Sequence, residues 1–134
     1  MIEFSVDPDT QVRVAKFTGT VDDDELLSTY RRLRSSPDYD ASANVLVDLS
    51  DVERLDVSPQ ALGELVATLR PMERNLAGRR RAIVAASDAV YGMARMYEIM
   101  RSDSPEDIRV FRDLMAAREW LATGESARTR TKAG

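Results

Sequence analysis

Four groups of residues in this chain are of types that can do chemistry. Asp22-Asp23-Asp24-Glu25 sets four carboxylates in a row, a composition that suits a hard cation held by oxygen ligands. The run lacks the spacing of a calcium loop, and capping a helix start accounts for the same acids. Arg79-Arg80-Arg81, with Arg70 and Arg74 upstream, gathers guanidinium groups that can clamp a phosphate or a carboxylate. The favoured reading of that cluster is a solvated strand entrance, with the arginine stems covering apolar surface. Tyr91, Met93, Met96, Tyr97 and Met100 share one helical segment. Flexible, polarizable methionines suit an adaptable apolar site, so this stripe reads as the wall of an apolar or lipid-like ligand site, or as packing and interface. Ser58 stands directly before Pro59, where a serine hydroxyl accepts a helix N–H and proline opens the first turn.

The missing residue types narrow the chemistry further. The sequence has no His and no Cys. Serine–histidine catalysis, imidazole metal sites, thiolate nucleophiles and disulfides are therefore excluded within it. It also has no glycine-rich phosphate loop, nucleophile elbow or metal-ligand constellation. A non-enzymatic protein without catalytic residues, cofactor or metal is expected.

The elements that must position these residues are legible from pattern. Ile2, Phe4 and Val6 alternate with polar neighbours as in a half-buried strand. Asp7-Pro8-Asp9 supplies a turn, and Val12, Val14 and Ala15–Phe17 continue as a second strand that ends at Gly19. Asp22 is the N-cap of a first helix, with Glu25 completing a capping box and Val21 and Leu26 forming a hydrophobic staple. Leu26, Leu27, Tyr30 and Leu33 form its apolar face, and Pro37 closes it. Val45-Leu46-Val47-Asp48-Leu49 reads as a strand covered on both faces. A second helix begins at Ser58-Pro59 and carries Leu62, Leu65, Val66, Leu69 and Met72, with Pro71 kinking or ending it. Ala82–Ala86 is another buried strand, and Ser87 or Asp88 caps a third helix. Ile108–Phe111 is the final strand; Asp113 caps a last helix with Leu114, Ala117, Trp120 and Leu121 inward, ended by Gly124. The order is β-β-α-β-α-β-α-β-α. It predicts an α/β fold with a single mixed, mostly parallel sheet and an antiparallel N-terminal hairpin.

The chain's 134 residues are the size of one domain, read as 1–124 followed by a basic flexible tail at 125–134. The net charge of −4 argues against generic nucleic-acid binding. Residues 1–67 carry 14 acidic and 6 basic side chains, whereas 68–134 carry 9 and 13. That asymmetry can orient a partner or favour head-to-tail self-association, against the alternative of a merely solvated surface. A homodimer is a separate expectation. Met1-Ile2-Glu3-Phe4 is no basic, apolar leader, and no window approaches the roughly 18 apolar residues of a membrane span. A cytoplasmic location is expected.

The stretch Val45-Leu46-Val47-Asp48-Leu49-Ser50 through Asp56-Val57-Ser58 resembles the central strand and following loop of STAS domains, the anti-sigma-factor antagonist or SpoIIAA-like fold. Val57 and Pro59 depart from the Asp-Ser-Ser-Gly pattern of that family. Ala82-Ile83-Val84-Ala85, Tyr91–Tyr97 and Val110–Asp113 with Trp120-Leu121 are similar to small bacterial STAS-like and CRAL-TRIO-like proteins, a likeness that spans about residues 2–122. The resemblance implies one mixed sheet with helices mainly on one side. It also implies a regulatory domain acting through an unidentified protein partner, with a phosphorylated serine at Ser58 and Asp56 beside it. The other reading of Ser58 is a helix cap alone. The CRAL-TRIO likeness implies instead a binding protein for an apolar or lipid-like ligand.

Overall fold

A computed structural model describes residues 1–37 and 39–124; the side chains of residues 72–74 lie outside the description. The chain runs β1 (Ile2–Val6), β2 (Arg13–Phe17), β3 (Gly19–Asp22), α1 (Asp23–Ser35), β4 (Val45–Asp48), β5 (Val52–Asp56), α2 (Pro59–Leu69), a 3-10 segment (Arg70–Leu76), β6 (Arg80–Val84), α3 (Asp88–Met100), β7 (Asp107–Phe111) and α4 (Leu114–Thr123). The basic tail expected at 125–134 and the side chains of Met72 and Arg74 lie outside the described residues.

Five strands form the central sheet in the order β1-β2-β4-β6-β7. β1 and β2 are an antiparallel hairpin, and the other pairings are parallel because each crossover carries a helix. The turn between β1 and β2 is closed by Asp7, whose Oδ1 accepts from the backbone N–H of Asp9 at 2.9 Å. Paired residues point to the same side of a sheet, so alternation divides its residues between two cores. Ala15, Phe17, Val47 and Ile83 face α1, α2 and α3, whereas Leu46, Ala82 and Val84 face Ala117, Trp120 and Leu121 of α4. Three helices thus cover one face and one covers the other, the arrangement expected of helices mainly on one side.

The helix starts follow the sequence signals. Asp22, Ser58, Ser87 and Asp113 each accept a backbone N–H from the first turn of α1, α2, α3 and α4. α2 ends at Leu69, two residues before Pro71, and the chain continues in 3-10 form. Gly124 ends α4 in the left-handed conformation at φ 76°, with its N–H on the carbonyl of Trp120.

Two expectations need correction. The second strand stops at Phe17, and Gly19, at φ 64°, turns the chain into β3, which leaves the main sheet and pairs in parallel with β5. These strands are short and largely polar, with Val21 the buried residue of β3 and Leu55 half-buried in β5. Ile2 is half-buried as expected, but Phe4 and Val6, on the edge strand, are 41% and 46% exposed. Among the described residues, no helix is long and apolar enough to cross a membrane.

Candidate functional site

Small side chains line part of the space between the sheet and its three covering helices. Ala15, Val45 and Val47 supply the sheet side, and α3 presents Ala94 opposite. These residues do not fill the gap between the layers, and a cavity of about 570 Å³ remains. Protein cores are ordinarily close-packed with few voids larger than a water molecule, whereas ligand cavities run from about 300 to 1,000 Å³. The cavity reaches the surface beside β1, where the exposed Phe4 and Val6 form its rim. Phe4 meets Tyr30 of α1 edge to face, with ring centroids 5.9 Å apart.

The two ends of the cavity differ in chemistry. Phe17, Leu26, Leu49, Leu55 and Leu62 make one end wholly apolar. The charged lining residues are Arg13, Arg34, Asp40, Arg79 and Arg81, four cations to one anion. All five lie toward the starts of the parallel strands. Arg13 and Arg81 share a cross-strand row through Val45, Arg79 precedes β6, Arg34 is in the last turn of α1, and Asp40 is in the connection to β4. Arg13 and Asp40 approach to 3.7 Å, and Arg34 Nη1 donates to the carbonyl of Thr68 at 3.0 Å.

Behind this end lies a buried ionic cluster. The Glu106 carboxylate is inaccessible to solvent and accepts from Arg79 Nε, from Arg81 Nε at 3.1 Å, and lies 3.1 Å from Arg101 Nη1. Arg101 Nη1 also donates to the Tyr97 hydroxyl at 2.8 Å, and its Nη2 to Ser104 Oγ at 3.0 Å. Arg79 Nη1 donates to the carbonyl of Ala41 at 3.2 Å, but its buried Nη2 has no acceptor among the described residues. Among the described residues, three guanidinium groups against one carboxylate leave a buried excess of two positive charges. Burial alone would push the Glu106 carboxyl up, but the three surrounding arginines outweigh it and hold the carboxyl below its ordinary value. Burial pulls Arg81 down, but the Glu106 charge and hydrogen bond together with the neighbouring Tyr97 and Tyr30 outweigh it, so its guanidinium is held above its ordinary value. Burial pushes the Tyr30 hydroxyl up to about 12, so it remains a hydrogen-bond donor.

The solvated reading of Arg79-Arg80-Arg81 is therefore wrong for two of the three. Arg79 and Arg81 are buried and clamp the chain's own carboxylate, while Arg80 is half-buried and donates through Nη1 to the Leu121 carbonyl at 3.2 Å. Of the α3 stripe, Met93 and Tyr97 line the cavity. Tyr91, Met96 and Met100 pack against the same core, and the Arg112 guanidinium lies 4.1 Å from the centre of the Tyr91 ring.

Ser58 sits away from the charged end, at the start of α2. Its hydroxyl accepts from the Ala61 N–H at 3.1 Å and donates to Asp23 Oδ2 at 2.7 Å, while its own N–H donates to Asp23 Oδ1 at 2.7 Å. The carboxylate bound to Ser58 is thus that of Asp23, and Asp56 is exposed at the end of β5. Elsewhere in the acidic run, Asp22 caps α1, and Glu25 Oε2 lies 3.3 Å from the amino terminus. Asp48 closes the turn after β4, accepting from the Ser50 N–H at 3.0 Å.

The crystal structure of an uncharacterised DUF3478-family protein with a SpoIIAA-like fold, from Shewanella loihica PV-4, has this architecture. It matches with a TM-score of 0.60 at 17% sequence identity, over 90% of this chain and 92% of that one. This chain has the SpoIIAA-like fold. The SpoIIAA-like resemblance carried by Asp48-Leu49-Ser50 therefore holds at the level of fold. No family model matches the sequence, and no curated protein matches it.

Proposed function

We propose that this SpoIIAA-like domain is a non-enzymatic binding protein for an apolar or lipid-like small molecule, held between the sheet and helices α1–α3. The cavity of about 570 Å³ carries the reading, because a core with no ligand to hold would gain by closing it. Its walls are mainly aliphatic and aromatic, with polar groups confined to one end, as in sites that bury an amphipathic molecule. Arg, Asp and Tyr side chains are available there to orient a ligand. The CRAL-TRIO likeness of the sequence points the same way.

Native mass spectrometry of the purified protein, with an organic extract of the same sample, tests the proposal. A small apolar mass that co-purifies and is released by solvent is the expected result. Empty protein that also fails to bind an added single-chain amphiphile would overturn it.

A second reading, a protein-interaction domain that forms a homodimer, draws on β1. This strand is at the edge of the sheet and exposes Phe4 and Val6. A free edge is a ready template for strand pairing with another chain. A concentration-dependent mass that Val6→Lys abolishes would favour it.

A further inference from the structure

We infer that the molecule held in the cavity is a single-chain amphiphile with an anionic head group, its head at the arginine end and its chain among Phe17, Leu26 and Leu62. The inference rests on the cavity reading above and adds the class and orientation of the ligand. Three observations carry it. The charged lining residues are four arginines and one aspartate, gathered at one end, while the other end is apolar. Among the described residues the ionic cluster behind that end contains three arginines but only the Glu106 carboxylate, so the described anions of the cluster do not balance its buried cations. Arg79, on the cavity wall and 2% exposed, has a buried Nη2 without an acceptor among the described residues.

Buried cations without a counter-charge and buried donors without an acceptor both raise the energy of the empty protein. A carboxylate or phosphate oxygen entering beside Arg79 and Arg81 would relieve both at once. Guanidinium groups bind such oxygens through paired, charge-assisted hydrogen bonds. A neutral head group relieves neither, and a cationic one adds to the excess. An inorganic anion would gain the head-group contacts but leave the apolar end empty. The charge and the shape of the site therefore select the same ligand class.

Isothermal titration with four probes of equal chain length, decanoate, decyl phosphate, decanol and decylammonium, tests this at pH 8, with inorganic phosphate as a fifth. Decanoate or decyl phosphate should bind at least about tenfold more tightly than decanol, with decylammonium and inorganic phosphate weaker still. The tighter of the two acids identifies the head group as carboxylate or phosphate. Arg34→Gln leaves the Glu106 cluster intact and should weaken the acid several-fold while leaving decanol unchanged. Equal binding of acid and alcohol would overturn the anionic head group and leave the apolar cavity standing. Binding of inorganic phosphate as tight as decyl phosphate would remove the need for the chain. Failure of all four chain-bearing probes to bind would overturn the cavity reading itself.

Discussion

Replacing Glu106 by Gln keeps the shape of the side chain and removes the only carboxylate in contact with Arg79, Arg81 and Arg101 among the described residues. The amide oxygen, in the place of Oε1, can still accept from Arg81 and Arg101. The amide nitrogen, in the place of Oε2, then faces Arg79 Nε, donor against donor. Removing one partner of a buried ion pair costs about 3–5 kcal/mol, and here one partner serves three. A loss of about 4 kcal/mol is expected, a large share of the roughly 5–15 kcal/mol that holds a domain of this size folded. Urea unfolding followed by circular dichroism at pH 7 measures it. The sign with pH is fixed as well. The folded carboxyl titrates below its ordinary 4.5, so its contribution is complete above about that pH and is lost as pH falls through the lower folded value. The gap between wild type and Glu106→Gln should therefore close in acid. Adding Arg79→Met to Glu106→Gln should recover part of the loss by removing the donor clash. A single variant within about 1 kcal/mol of wild type at neutral pH would refute the claim that this cluster is buried and under-compensated.

Trp120 is fully buried against Phe111, with ring centroids 5.6 Å apart, and Trp120→Ala should cost about 3–5 kcal/mol. Native emission typical of water-exposed indole would contradict that placement. Ser58→Ala removes both the cap to Ala61 and the hydroxyl donated to Asp23, for a loss of about 2 kcal/mol by urea unfolding. Ser58→Asp restores a capping acceptor but sets a second carboxylate against Asp23, so it should be no more stable than Ser58→Ala at pH 7 and should gain on it in mild acid. A Ser58→Asp variant as stable as wild type at pH 7 would mean that Asp23 does not hold this serine. Ala94→Leu enlarges a buried residue, which in a filled core costs about 1–3 kcal/mol. Because Ala94 lines the cavity, its enlargement should leave the melting temperature unchanged or raised, and a marked fall would mean that the space is not there.

The sequence announced the parts of the fold that local patterns encode. The apolar runs at Val45–Leu49 and Ala82–Ala86, the caps at Asp22, Ser58 and Asp113 and the stop at Gly124 each depend on a few adjacent residues. The caps and the stop are where the pattern puts them, whereas β6 is Arg80–Val84, two residues earlier than the apolar run. β3 and β5 escaped because a strand of Gly-Thr-Val-Asp has no alternation to read, and its partner lies beyond α1. The site was only half legible. Met93 and Tyr97 on α3 were visible as an apolar stripe, but helical spacing cannot tell a cavity wall from the packing that holds Met96 and Met100. The cavity comes partly from Ala15 and Ala94, whose small size means little until the layers are assembled. The ionic cluster joins Arg79 to Glu106 across 27 residues, and nothing beside Glu106 in the chain marks it as their partner. Three consecutive arginines look like a solvated run unless strand alternation is traced to the face on which each residue falls. That face turns Arg81 inward beside Arg13 and Val45.

The methionine methyl groups offer the most direct test of the central claim that the space between sheet and helices holds a ligand. Met93 lines the cavity, while Met115 is 77% exposed on α4, across the sheet. In protein labelled at the methionine methyls, adding decanoate should shift the Met93 resonance saturably and leave that of Met115 in place. Decanoate and decanol that both leave Met93 unmoved, or that shift Met93 and Met115 alike, would show that the cavity takes no such ligand.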